Sequence, residues 1–353
     1  MFVCLENIER VVSLEEYLPF IALGIGFYVA WNIGSNDAAN AMGVPVGGRV
    51  ISFRRAVLVM VPFVLLGAVL EGWKVMETVG SGILVGEGGN PLNLVPEIAI
   101  IALLAAGIWV TTATTFRLPV STSQAIVGSV IGAGLLLSFV DLEEVSSISI
   151  EFGVLRGIGV AWILTPAFSA IFSYLIYHLV GPALDRIGGA ATLDRVLMVL
   201  VVSTGAFAAY SLGANNVGNA TALIYAVTGG ATGGSLWSPQ IIGLFGGIAL
   251  AVGVLTYSQR VMETVGTGIT SLDAMTAFSA QFGAAFTVWF FTQFGLPVST
   301  SQAIVGGVAG AGLVKGTAAV SKGKLGKIGV AWVLTPTISA CLTFVLGWLV
   351  LGI

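Results

Sequence analysis

Charge is what this chain has least of. Lys and Arg number 14 and Asp and Glu 17 among 353 residues, 9% in all, and the formal net charge is −3. That excludes a nucleic-acid partner, which needs a dense basic face. Histidine is almost missing, with His178 alone, and its sequence neighbourhood has no acidic partner. A hydrolase built on Ser121 or Ser299 would therefore lack its general base, and the chain is expected not to be an enzyme. The two cysteines, Cys4 and Cys341, make no disulfide framework. Residues 1–16 carry Glu6, Glu9, Arg10, Glu15 and Glu16 and so lack the basic start of a cleaved signal peptide, so the N-terminus is expected to be retained.

What remains is apolar. Hydrophobic residues make up 56% of the chain, glycine 48 positions, and mean hydropathy is +1.00. This is the profile of an all-α polytopic membrane protein. Segments of spanning length fall near 17–46, 54–75, 97–116, 121–139 and 154–180, and again near 195–228, 239–257, 273–294, 299–314 and 328–350. That predicts ten spans, or up to twelve if the long first segment of each set breaks. Between the sets, 181–194 mixes Pro182, Gly188 and Gly189 with Asp185 and Arg186, a linker. The expected organisation is a first repeat over 1–180 and a second over 195–353.

The repeat is visible residue by residue. Leu-Pro-Val-Ser-Thr-Ser-Gln-Ala-Ile-Val-Gly runs from Leu118 to Gly128 and again from Leu296 to Gly306 without a change. Lys74–Gly80 returns as Arg260–Gly266 with its first residue changed, and Ile158–Pro166 returns as Ile328–Pro336 with one. Gly34, Asn36, Asn40 and Ala41 align with Gly213, Asn215, Asn219 and Ala220. Charge sets the relative orientation, because Lys and Arg gather on the cytoplasmic side. Arg49, Arg54 and Arg55 follow the first span of one half, and nothing charged follows its counterpart; Lys315, Lys322, Lys324 and Lys327 follow the fourth span of the other half, where the first has Asp141, Glu143 and Glu144. Five spans per half reverse the second half, so the reading is two inverted-topology repeats with broken helices and hairpin-like or re-entrant segments, both termini outside.

Polar residues inside such spans are costly and mark the chemistry. Each Ser-Thr-Ser-Gln cluster opens an apolar helix behind a proline, which offers hydroxyls, unpaired backbone N–H groups and the positive end of a helix dipole. One such end is an ordinary cap; two identical ones, facing each other, would grip a small tetrahedral oxyanion. The candidate anion ligands are Ser121, Thr122, Ser123, Ser299, Thr300 and Ser301. Asn36, Asp37 and Asn40 interrupt the first run, and Asn215, Asn216 and Asn219 its counterpart. Their hard oxygens, with those of Gln124 and Gln302, suit an alkali cation; the plainer alternative is a polar seam between helices. Glu77 and Glu263, duplicated at span ends, are either cation or proton ligands or interfacial charges. No Lys or Arg is duplicated beside the anion motif, since Gly295 replaces Arg117. A bound anion must then be balanced by helix termini and by cations.

These paired motifs resemble the inorganic phosphate transporter (PiT) family, whose members are sodium- or proton-coupled carriers with a sulfate permease branch. The resemblance spans nearly the whole chain. It implies that Asp37, Glu77 and Glu263 match acidic positions important for transport, and that both Ser-Thr-Ser clusters match the phosphate site. One departure is Asn216, where the family has a second Asp. The expected function is sodium-coupled phosphate transport by alternating access in the plasma membrane, with a proton-coupled phosphate or sulfate permease as the alternative. Sodium is then co-transported, no organic cofactor is needed, the partners are phosphate, sodium and the bilayer, and a homo-oligomer stays open.

Overall fold

The computed structural model describes residues 2–47, 50–86, 89–90, 95–116, 120–139, 148–230, 237–268, 273–314, 316 and 322–351. The first repeat contributes α1 (Phe2–Gly47), α2 (Phe53–Glu77), α3 (Pro96–Thr115), α4 (Thr122–Leu137) and α5 (Phe152–Leu184). The second contributes α6 (Ala190–Leu212), α7 (Gly218–Val227), α8 (Pro239–Gly268), α9 (Ala274–Gln293), α10 (Thr300–Val314) and α11 (Lys322–Leu351). The one sheet among the described residues is a clip of β1 (Leu84–Val85) on β2 (Ser149–Ile150), antiparallel.

Local chemistry sets the ends. Pro96 opens α3 where its missing N–H costs nothing, Ser121 caps α4, Asp273 caps α9 through the Thr276 N–H, and Gly189 separates α5 from α6 at φ 89°, a conformation other residues resist. Among the described residues eight helices are long and apolar enough to cross a membrane. The other two apolar segments, α4 and α10, have 16 and 15 residues. At 1.5 Å per residue they reach only about 24 Å, short of a ~30 Å hydrocarbon core. Each pairs with the helix before it, α3 with α4 and α9 with α10, so the two hairpins place the duplicated motif at their turns.

The helix breaks expected at the Asn-rich segments take a different form. α1 runs unbroken past Asn32, Asn36, Asp37 and Asn40, because those side chains find partners on neighbouring helices: Asn32 donates to Thr111 at 2.9 Å and Asn36 to Thr114 at 2.8 Å, both on α3. In the second repeat the interruption is one π-helical turn, Gly213–Val217, between α6 and α7. Unwinding is unnecessary where the polar groups are satisfied sideways.

The repeats interlock. α1 lies against α8 and α2 against α6, while α4 packs on α11 and α5 on α10. The contacts repeat in mirrored pairs. A Cβ on Gly34 would sit 2.0 Å from the Leu250 carbonyl oxygen, and one on Gly213 would sit 2.1 Å from that of Val64. Ser169 Oγ donates to the Ala303 carbonyl at 2.6 Å, and Ser339 Oγ to that of Ala125 at the same distance. Glycine thus lets backbones touch at related points, the packing rule of helices in lipid. Outward, large apolar side chains such as Leu58 (74% exposed), Ile163 (75%) and Val333 (71%) face away from the protein, as a hydrocarbon solvent requires. Inward, the buried set includes many Asn, Ser, Thr and Gln.

Glu71, partly buried near the end of α2, accepts from Tyr210 on α6 at 2.8 Å and from Gln293 on α9, and Lys74 lies 3.5 Å away, so it ties the first repeat to the second. Gly295, at φ 68°, packs where a Cβ would meet the Lys74 carbonyl oxygen at 2.9 Å. A long cation has no room at that point. Arg49, Arg117, Pro119, Asp141, Glu143, Glu144 and Lys315 lie outside the described residues, as do the side chains of Lys322, Lys324 and Lys327.

Candidate anion and cation site

The hairpin turns meet. Ser123 Oγ, in the first turn of α4, donates to the Val298 carbonyl just ahead of α10 at 2.7 Å; Ser301 Oγ, in the first turn of α10, reaches the Val120 carbonyl ahead of α4 at 3.4 Å. Trp162 Nε1 on α5 fixes one turn further by donating to the Pro297 carbonyl at 2.8 Å. Two helix N-termini therefore converge from opposite repeats, and their dipoles add at one point.

Within each cluster the hydroxyls divide the work. Ser121 Oγ accepts the N–H of Gln124 at 3.2 Å, and Ser299 Oγ that of Gln302 at 3.1 Å, so these two are the N-caps. The carbonyls of the same residues take the N–H of Ala125 and Ala303. The N–H groups of Thr122, Ser123, Thr300 and Ser301 then stand at the open ends of their helices. Ser121 and Ser299 are thereby set apart from the other four hydroxyls of the candidate anion set.

The Asn-rich segments close over these ends. Asn40 Nδ2 donates to Ser301 at 3.1 Å and to Thr300 at 3.2 Å. Its counterpart Asn219 donates to Ser123 at 3.0 Å. Asp37 is 1% exposed and accepts from Thr122 Oγ1 at 2.8 Å and from Asn216 Nδ2 at 2.6 Å, with Asn40 3.3 Å from its other oxygen. Asn216 also stands 3.5 Å from Thr300. The two aligned residues, Asp37 and Asn216, thus touch each other across the repeat boundary. Asn215 and Asn36 lie one layer out and hold the hairpins: Asn215 donates to Thr292 at 2.8 Å just as Asn36 donates to Thr114.

Candidate cation donors lie on the same segments. Among the described residues Gln124 Oε1, Gln302 Oε1, Asn216 Oδ1 and Asn219 Oδ1 are buried with no hydrogen-bond partner. Leaving four amide oxygens dry and unpaired is expensive, and a hard cation relieves that cost. Like the Asp37 carboxylate, these are hard oxygens, a ligand type that suits sodium better than a transition metal. No Lys or Arg hydrogen-bonds to this cluster among the described residues; Lys74 is engaged by Gln293 at 2.7 Å.

Not every residue singled out from sequence comes here. Glu77 is exposed at the end of α2 and forms no hydrogen bond with the cluster. The Glu263 side chain lies outside the described residues. His178 pairs with the Tyr174 carbonyl at 2.9 Å on an exposed part of α5, away from the site. In the other direction, Thr114 and Thr292 were missed, although a signal existed: both lie four residues ahead of the duplicated Leu-Pro-Val-Ser-Thr-Ser-Gln, so the repeat extends upstream to them.

Comparison with known proteins bears on the chain as a whole. The model of the phosphate transporter family matches the chain twice, over residues 33–187 and 184–343. A candidate phosphate permease of Thermococcus kodakarensis is 30% identical, over 92% of this chain and 95% of its own length. One from Pyrococcus furiosus is likewise 30% identical, over 91% and 93%. A solved structure described as the sodium-dependent phosphate transporter superposes with a TM-score of 0.80 at 28% identity, covering 95% of this chain and 99% of its own.

Proposed function

The chain belongs to the phosphate transporter family, and we propose that it carries inorganic phosphate across the plasma membrane coupled to sodium, by alternating access of a site made jointly by the two repeats. The observation that carries this reading is the balance of charge. A buried carboxylate and a phosphate of one or two negative charges would share a space whose described residues offer hydrogen-bond donors and helix termini but no Lys or Arg. Such a combination is prohibitive in a low-dielectric interior unless cations enter with the anion. The four unpaired amide oxygens supply neutral ligands for them.

The contacts also give a coupling step. In the described state the Thr122 hydroxyl is spent on Asp37. Sodium at the carboxylate takes over as its partner and releases that hydroxyl to the anion, with Thr300 and the first-turn N–H groups of Ser123 and Ser301 completing the shell, while the hydroxyls of those two serines hold the turns together through the Val298 and Val120 carbonyls. Cation and anion then bind each other's site in working order, and either one raises affinity for the other. Ser121 and Ser299 keep the helix ends capped, and Glu77 and Glu263 are assigned to the cation pathway rather than to the shell.

Radiolabelled phosphate uptake into proteoliposomes tests the reading. A sodium gradient alone should drive accumulation, and a proton gradient alone should not; equal accumulation with protons and no sodium would turn the proposal into the proton-coupled alternative. Orientation follows from the charge pattern. Single cysteines placed beside Arg54 and beside Lys324, after removal of Cys4 and Cys341, should label only from the cytoplasmic face, and one beside Glu144 only from the other. Labelling of the first two from opposite faces would remove that orientation.

A further inference from the structure

Next to the hydroxyl cluster a cavity of about 20 Å³ lies between α1, α6, α9 and α10, with Asn40, Ser211, Gln281 and Thr300 as its polar walls. Thr300 belongs to the proposed anion site and Asn40 donates to its hydroxyl at 3.2 Å; Gln281 belongs to neither duplicated motif. It is 1% exposed, in the first half of α9. Its Nε2 donates to the carbonyl of Ala41, the residue next to Asn40. Its Oε1 has no partner among the described residues. Ser211 offers that oxygen nothing, since its hydroxyl donates to the Phe207 carbonyl at 2.9 Å. With the amide nitrogen held, the function Gln281 has to spare is a lone-pair acceptor. The group is also particular to the second repeat: counting back from the motif by the repeat spacing, the first repeat has Leu103, fully buried.

We propose that Gln281 selects phosphate over sulfate, an inference that rests on the reading of the site as a phosphate site. A space of this size admits about one water-sized group, which is one oxygen vertex of a tetrahedral anion held by Thr300 and Asn40. Phosphate at neutral pH carries at least one hydroxyl vertex, which donates to Gln281 Oε1. Sulfate carries none, and its bare oxygen would face the amide lone pair, leaving both unsatisfied. Selectivity then comes from an unpaired acceptor set against the wrong ion, which is how sites built for a substrate hydroxyl reject the analogue without one. The hydroxyls and N–H groups of the duplicated motif treat both ions alike, so the discrimination has to come from an acceptor such as this.

The experiment is competition against radiolabelled phosphate uptake in proteoliposomes by arsenate, which shares the phosphate hydroxyl, and by sulfate. Gln281→Leu, which copies Leu103, and Gln281→Met, which keeps the side-chain length, are compared with the unaltered protein after both run as single species on gel filtration. In each variant the phosphate KM and the arsenate inhibition constant should rise together, by about tenfold or more as loss of a hydrogen bond to a charged ligand implies, while the sulfate constant falls or at least does not rise, because the opposing lone pair is gone. The arsenate-to-sulfate ratio is independent of how much protein is active. If all three constants weaken alike, or the ratio is unchanged, Gln281 is a packing residue and the inference is overturned. If the unaltered protein takes up no phosphate, the functional reading fails first and takes this inference with it.

Discussion

Phosphate uptake by the Thr122→Ala, Thr300→Ala double variant is expected to fall to background. Each hydroxyl sits at the open end of a helix, one on each side of the repeat boundary, and each donates toward a charged acceptor when the anion is bound. A hydrogen bond of that kind contributes about 1.5–3 kcal/mol, so losing two weakens binding by about a hundredfold to ten-thousandfold. Each single variant should show a lesser loss. The two are not equivalent, however. Thr122→Ala strips Asp37 of its 2.8 Å hydroxyl donor, so it should shift sodium dependence more than Thr300→Ala, whose hydroxyl acts on the carboxylate less strongly and also meets Asn40 and Asn216. Equilibrium binding of phosphate to folded protein at two sodium concentrations measures both effects. Undiminished phosphate affinity in the double variant would mean that the two helix ends do not share one ligand.

Asp37→Asn should raise the sodium concentration for half-maximal uptake by at least about tenfold, and phosphate affinity should drop with it, since linkage between two bound species is reciprocal. The carboxylate is the full negative charge in the cluster, and an amide offers only a dipole in its place. Asn216→Ala should cost less, because it removes one oxygen of several and leaves the charge. The reverse change is more instructive. Read from sequence alone, Asn216→Asp adds a ligand charge and should tighten sodium binding. The contact of Asn216 Nδ2 with Asp37 at 2.6 Å gives that expectation its physical reason: the variant would set two carboxylates against each other, stable only with a cation or proton between them. Uptake measured against sodium at several phosphate concentrations should therefore show a carrier that holds its cation too firmly to release it, with lowered maximal rate. An Asp37→Asn protein with unaltered sodium dependence would take Asp37 out of the cation site.

The membrane class, the duplication and both polar motifs were legible in the sequence, because each rests on residue type and spacing. A carboxylate, a set of Asn residues and two Ser-Thr-Ser-Gln clusters inside apolar runs are too costly in lipid to stand there without a ligand or a polar partner. Spacing along one chain, by contrast, says nothing about which member of a pair meets which. Asp37 could have been a lone ligand facing water; it is instead in contact with its own repeat counterpart. Ser121 and Thr122 are neighbours with similar chemistry, and only the helix geometry makes one a cap and turns the other to Asp37. Duplication left Glu77 open as either a cation ligand or an interfacial charge, since a repeated residue can equally mark a repeated span end, and the structure leaves it exposed at the end of α2.

The sequence by itself determined that this chain lives in a bilayer, that it is two copies of one unit, and that it concentrates uncharged oxygen and N–H groups where an oxyanion and an alkali cation would both be served. Those are consequences of composition and of local backbone rules, which operate within a few residues. Only the tertiary structure decided that α1 stays helical through its Asn residues, that the two hairpin turns meet, and that Gln281 stands on the wall of the same site with a carbonyl oxygen to spare. Each of these depends on partners some eighty to two hundred and sixty positions away, brought together by glycine-mediated backbone contact between interlocked repeats, and no local rule records such a distance.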